Sequence, residues 1–424
     1  MNKTAHYQEY LHILQEELLP AMGCTEPIAI ALAATKAREV LGAPPERVEL
    51  EVSGNIIKNV KSVTVPNTGG LKGMEAAAAA GIVAGRGELE LEVISQVTPE
   101  EIEAIARFLQ TCPISVTPSA SGKVFFIGVT LTGGGHTALC RIEDFHTNIA
   151  LLSRDGEVLF QGSASAAEEE TDRSLLNVEE IVAFADCAQA EDLRPVVGRQ
   201  IQYNTAISEA GLTGQWGAAV GRTIREIHGE QDIAARAAAA AAAGSDARMS
   251  GCELPVIIVS GSGNQGMTAS LPVIEYAKSL GSTEEETLRA VALSDLVTIH
   301  QKTGIGRLSA FCGAVSAGCG AAAGIAYLHG GRYDVIAHTI ANTLAICSGM
   351  ICDGAKPSCA AKIASAVDAG LMGYHMYIHG GHQFLGGEGI IKKGVENTIE
   401  SVGRLAREGM RQTDGEILDI MVGP

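Results

Sequence analysis

Apolar residues recur at helical spacing at the start of the chain, in LHILQEELL (11–19) and IAIALAATKAREVLG (28–42), and predict two helices broken at GCTEP (23–27). Thr25 can cap the second helix, Glu26 suits its first turn and Pro27 fits its start. Cys24 therefore stands beside a helix N-terminus, where partial positive charge favours a thiolate. From about residue 46 to 160 the pattern shifts to short β-rich runs: RVELEVSG, KSVTVPN, ELELEVIS, PISVTPSA, KVFFIGVTL and HTALCRIE. Helices are predicted near 71–84 and 98–109, which makes residues 46–165 an α+β domain. A charged, Ser-containing stretch, ASAAEEETDRS (164–174), reads as a linker. Alternation then all but disappears, apart from LPVIIVSG (254–261), and Ala-rich runs predict an all-α domain over 174–424. The expected fold class is α+β: N-terminal helices (1–45), a small α+β domain, then a large all-α domain. AARAAAAAAAGS (234–245) favours helix, and its composition carries no chemistry.

A length of 424 residues suits two domains. The balance of 31 Lys+Arg against 49 Asp+Glu leaves −18, which repels phosphate backbones, and 4 % aromatic residues offer little surface for base stacking. A nucleic-acid partner is therefore not expected. The uncharged stretch Phe311 to Leu328 approaches membrane-span length but is built from Gly, Ala and Ser, so a buried, closely packed helix is expected and no membrane role. The N-terminal segment lacks the apolar core and cleavage site of a signal peptide, which predicts a cytoplasmic protein. Ala-rich apolar helices favour a homo-oligomer.

Ten cysteines in such a chain point to metal, catalysis or burial rather than a disulfide framework. Cys347, Cys352 and Cys359 fall within CSGMICDGAKPSCAAK, where Asp353-Gly354 and Pro357 interrupt helix, so Cys352 and Cys359 can face a common centre from a loop. Thiolates suit iron–sulfur or zinc sites, and three protein thiolates on a cluster leave one iron open to substrate. Spacing alone leaves metal binding and simple burial both open. Burial accounts for Cys112, Cys140, Cys187 and Cys347, while Cys252 and Cys319 stay undecided. Two polar turns suit a substrate carboxylate or tight turns with helix capping: Asn67, Thr68, Gly69 and Gly70, and Ser260, Ser262, Asn264 and Gln265. His300 can relay protons near neutral pH or hydrogen-bond within the helices. His379, His382 and Glu388 lack the spacing of a helical metal site, and their Gly-rich segment reads as a loop near the cleft or a lid. No phosphate-loop or dinucleotide fingerprint is present in its required context.

The segments SGMICDGAKPSC (348–359), RLSAFCG (307–313) and MGCTEP (22–27) resemble the motifs of the iron–sulfur L-cysteine desulfidase family, and the resemblance runs over nearly the whole chain. It implies a [4Fe-4S] cluster on Cys312, Cys352 and Cys359, with Cys319 excluded as first ligand by the family's spacing. It also implies a role for Cys24 as catalytic base, or as a fourth cluster ligand in the resting enzyme. A weaker similarity links the chain to the iron–sulfur L-serine dehydratases: VSGSGNQ (259–265) stands at their substrate loop, IHQ (299–301) at a histidine ahead of the first ligand, and TGGLKGMEA (68–76) at the turn of their small domain. Two departures are the shorter separation of the last two ligands and Gly-Cys-Thr-Glu in place of an N-terminal Ser-Ser-His; the second favours a thiol substrate over serine. What the resemblance implies is PLP-independent β-elimination of L-cysteine to pyruvate, ammonia and sulfide, with Cys24 and His300 as catalytic residues. L-Serine dehydration by the same apparatus is the enzymatic alternative; a non-catalytic iron–sulfur protein or amino-acid sensor is the other.

Overall fold

The computed structural model describes residues 4–162, 171–306, 308–384 and 386–422, so most of the expected linker (164–170) lies outside the described residues. The chain opens with α1 (Tyr7–Glu17), β1 (Pro20–Met22) and α2 (Thr25–Leu41). Next come β2 (Arg47–Val52), α3 (Gly54–Val60), α4 (Gly73–Ala84), α5 (Pro99–Thr111), β3 (Ile114–Pro118), β4 (Phe126–Gly133), β5 (His136–Glu143), β6 (Ile149–Arg154) and β7 (Glu157–Gln161). These strands form one sheet in the order β3-β2-β4-β5-β6-β7, parallel only between β2 and β3. Val48, Leu50 and Val52 alternate with the more exposed Arg47, Glu49 and Glu51, as expected for a strand with one buried face. The sheet packs on α2, which is nearly all Ile, Ala and Leu from Ile28 to Ala34 and is buried between β4, β5 and α4.

Two alternating segments do not become strands. KSVTVPN (61–67) makes one isolated bridge, Thr64 to Lys72, and Gly87–Glu92 forms a 3₁₀ turn with Glu90 at φ +47°. Alternation specifies a half-buried face but supplies no partner strand. The converse holds for β6 and β7, which the alternation did not predict; Asp155 and Gly156 join them as a two-residue turn with φ of +51° and +84°.

Strand β8 (Pro255–Ile257) pairs antiparallel with β1, Pro20 opposite Ile257, and so fastens the N-terminal segment to the helical part. That part comprises α6 (Val178–Cys187), α7 (Ala190–Leu193), α8 (Arg199–Thr213), α9 (Val220–His228), α10 (Ile233–Met249), α11 (Gly263–Leu280), α12 (Glu284–Ile305), α13 (Gly313–Leu328), α14 (Tyr333–Ile346), α15 (Cys359–Ile378), α16 (Val395–Arg404) and α17 (Arg411–Val422). Helix α13 is the Gly/Ala stretch of near-membrane length; it is buried from Ala314 to Tyr327 and packs against α11, α12, α14 and α15. Among the described residues no helix is long and apolar enough to cross a membrane.

Candidate functional site: a thiol-lined cavity at converging helix ends

Cys312 and Cys352 lie 40 positions apart and are brought together by a short antiparallel bridge between Phe311 and Ile351. The Cys312 N–H donates to Met350 O at 2.8 Å and the Cys352 N–H to Ala310 O at 2.7 Å. Directly after the bridge, Cys312 becomes the N-cap of α13. The chain beyond Cys352 turns through a loop in which Lys356 and Lys362 both hold the Asp353 carboxylate, Lys362 at 2.5 Å. Gly354 in that loop has φ +96°, and a Cβ there would run into the Lys58 carbonyl oxygen. Cys359 follows as the first residue of α15, its thiol 3.7 Å from Gly354 O. Cys24, the N-cap of α2, places its thiol 3.8 Å from Met249 Sδ and packs with Val63, Met249 and Cys359.

These four thiols line one cavity of about 100 Å³, together with Ser260, Ser262, Asn264 and Gln265 from the turn before α11 and its first residues. Four helices, α2, α11, α13 and α15, direct their N-termini at it, and none of their N-cap side chains makes a capping hydrogen bond. Unsatisfied N–H groups and the helix dipoles therefore make the cavity locally electropositive within a chain of net charge −18. Buried Arg248 and Lys302 add to this. A hydrogen bond from the Cys312 thiol, with Lys58 and Lys362 nearby, draws Cys352 well below the ordinary thiol range; Cys312, its donor, is pushed up. Burial also raises Cys359.

Cys24 corrects one expectation. Its position at a helix N-terminus favours the thiolate, but complete burial dominates and pushes the thiol up to about 12, with Arg248 pulling the other way. His300, Asn67 and Thr68 are not brought to the cavity. His300 on α12 bonds Glu396 at 2.6 Å, and that carboxylate also accepts the Val178 N–H, so the imidazole ties α12 to α16 and the start of α6. Asn67 donates to Ile94 O at 2.8 Å and Thr68 to Val65 O at 2.7 Å, which makes both of them buried turn supports. Cys319 is enclosed within α13, beside Ile340 O. His379, His382 and Glu388 do not line the cavity.

Sequence reasoning missed Glu26, Asn59, His146, Arg248 and Lys302, all of which line the cavity. Arg248 and Met249 come from the last turn of α10, the helix whose Ala-rich run looked inert. A basic residue at the end of such a run was the one available signal. His146 arrives from the loop between β5 and β6, so the sheet supplies part of the wall.

Among the described residues no group of three or more Cys, His, Asp or Glu closes tightly enough for a single ion. A cluster takes its thiolates on separate irons and needs no such convergence. A donor set of thiols backed by helix N-termini, Lys58 and Lys362 fits a thiolate-bound cluster in kind.

Residues 88–419 match the serine dehydratase alpha chain family, a span that includes Cys312, Cys352, Cys359 and the turn at 260–265. Over 419 residues the chain is 58 % identical to a UPF0597 protein of Desulfitobacterium hafniense, covering 98 % of this chain and 97 % of that one. It is 50 % identical over 417 residues to a UPF0597 protein of Lachnoclostridium phytofermentans (98 % and 100 % covered), and 44 % identical over 429 residues to one of Treponema denticola (100 % and 99 %). With most of its length matched, and with full-length relatives at such identity, the chain belongs to the serine dehydratase alpha chain family, alongside the UPF0597 proteins.

Proposed function

We propose that this protein is a [4Fe-4S]-dependent lyase that eliminates the β-substituent of a small amino acid, L-cysteine being the substrate, to give pyruvate, ammonia and sulfide. The observation that carries the reading is the meeting of Cys24, Cys312, Cys352 and Cys359, from three distant segments, at a cavity that also holds Ser260, Ser262, Asn264 and Gln265. Cys312, Cys352 and Cys359 would hold the cluster. When bound, it supplies a Lewis acid that makes the substrate's sulfur or hydroxyl a better leaving group.

The protein's own residues do the rest. Ser260 and Ser262 hydroxyls and the α11 N-terminus receive the substrate carboxylate. Cys24 Sγ takes the α-proton; burial keeps that sulfur out of water and holds the resting group as the thiol, so the step needs the thiolate toward which Arg248 pulls it. The 2-aminoacrylate released tautomerises and hydrolyses to pyruvate and ammonia. An N-terminal cysteine where the serine dehydratases carry Ser-Ser-His supports a thiol substrate. L-Serine dehydration is the second reading, supported by the family match over 88–419.

The test is anaerobic purification and reconstitution, then parallel assays of sulfide and pyruvate from L-cysteine and L-serine. Sulfide with equimolar pyruvate from cysteine is expected; pyruvate from serine alone overturns the substrate, and an intact cluster without turnover overturns the activity. Cys24→Ser is expected to lower kcat by at least about 100-fold. Unchanged turnover and cluster absorbance in that variant would remove Cys24 from the reaction.

A further inference from the structure

Arg248 is only 3 % exposed, yet its guanidinium has a single side-chain hydrogen bond among the described residues, from Nη1 to Asn264 Oδ1 at 3.2 Å. Among the described residues its Nε, also buried, has no acceptor, and no carboxylate makes a salt bridge with it. Five N–H donors on a buried cation with one neutral acceptor are a costly arrangement for a protein to keep. The surroundings are shaped to keep it: a Cβ on Gly263 would lie 2.5 Å from Arg248 Nε, so only glycine at the start of α11 leaves room for the guanidinium. Among the described residues, buried Gln265 Oε1 on the same wall also lacks a donor.

Glu26 lines the same cavity with a carboxyl group. Its Oε1 accepts from Asn59 Nδ2 at 3.0 Å and its Oε2 from Thr25 Oγ1 at 3.3 Å, both neutral donors; among the described residues no cation makes a salt bridge with it, though the Arg248 charge reaches it. One cavity thus presents a buried guanidinium and a partly buried carboxyl with no salt bridge between them among the described residues. A ligand carrying one negative and one positive group would satisfy both without a net change in buried charge.

We infer that Arg248 and Glu26 form a clamp for the α-amino-acid zwitterion, Arg248 on the carboxylate and Glu26 on the ammonium, with Asn264 positioning the guanidinium. The inference deepens the proposed function and rests on it for the identity of the cavity as a substrate site. The ligand's carboxylate and ammonium, not only its sulfur, then select it. The competing role for Arg248 is purely internal, stabilising the thiolates of Cys24 and Cys359, which its charge also reaches.

The test is calorimetric titration of the anaerobically reconstituted full chain with three thiols that cannot complete the elimination. α-Methyl-L-cysteine keeps both charged groups but has no α-proton, cysteamine lacks the carboxylate, and 3-mercaptopropionate lacks the ammonium. Wild-type protein is expected to bind α-methyl-L-cysteine roughly 30- to 100-fold more tightly than either truncated thiol, the range for one charge-assisted contact. Arg248→Met is expected to lose that factor for α-methyl-L-cysteine while binding cysteamine as wild type does; Glu26→Gln is expected to do the same with respect to 3-mercaptopropionate. If wild-type protein binds all three within about three-fold of one another, the clamp is overturned with no variant needed. Equal weakening of cysteamine and α-methyl-L-cysteine by Arg248→Met assigns Arg248 to the thiols and overturns it as well. Discrimination among the probes without sulfide release from L-cysteine would sink the lyase reading and leave the clamp standing; release without discrimination would do the reverse.

Discussion

Gly354→Ala tests whether the loop between Cys352 and Cys359 is held in place by a close backbone approach. At φ +96° an alanine costs about 1–2 kcal/mol in backbone strain. Its Cβ would also overlap the Lys58 carbonyl oxygen, a backbone atom that cannot rotate away, adding about 1–3 kcal/mol. Gly330 is the matched control, with φ +84° and nothing within 4 Å of a Cβ, so Gly330→Ala carries the strain without the collision. Relief by global unfolding would show as a fall in Tm of a few degrees at most in a chain of this size. Local opening of the 353–358 loop relieves the same strain at less cost, and a bias of roughly 2–5 kcal/mol raises the open population at least about 30-fold. The assay is the rate of iodoacetamide alkylation at Cys352 and Cys359 in cluster-free protein, read by peptide mass spectrometry. Gly354→Ala is expected to speed both by at least about tenfold, and Gly330→Ala to leave both unchanged. Unchanged rates in Gly354→Ala, or equal acceleration in the two variants, would refute the reasoning.

Burial pushes the Asp246 carboxyl up to about 6 even though it accepts the Gly221 N–H at 3.0 Å. A carboxyl raised in the folded state gives its full stability below its unfolded value and loses it as pH rises through the folded one, so ionisation costs up to about 3 kcal/mol between about pH 4 and 6. Asp246→Asn should match wild type near pH 4 and exceed it at pH 7 in denaturant midpoint; a pH-independent gap would contradict this. Lys58 is buried and paired with Asp414 on α17 at 2.5 Å. Asp414→Asn leaves that ammonium unpaired and should cost about 3 kcal/mol, with faster amide exchange along α17. Unaltered exchange there would show that the pair does not hold the helix.

The α+β character, the break at 23–27 and the Ala/Gly helices were legible because hydrophobic period and turn residues act locally. Strands were less so. KSVTVPN alternates and finds no ladder, whereas β6 and β7 were marked by Asp155-Gly156 rather than by alternation. Site residues divide in a similar way. Cys312, Cys352, Cys359 and the turn at 260–265 carry recognisable motifs and do reach one cavity. Asn67 and His300 looked equally suited by residue type, but their partners, Ile94 O and Glu396, lie 27 and 96 positions away and use them for support.

By itself the sequence determined the order of elements, the helix ends at Thr25 and the 260–265 turn, and the family to which the thiols belong. Tertiary structure decided the electrostatics. It buried Cys24 and so reversed the thiolate preference that its helix end supplies, since desolvation of a thiolate outweighs a partial dipole charge. It also carried Arg248 and Glu26, unremarkable at the edges of apolar helices, to the same cavity. Local pattern fixes which residues end a helix. Only packing fixes which helix ends meet, because that depends on contacts between segments hundreds of residues apart.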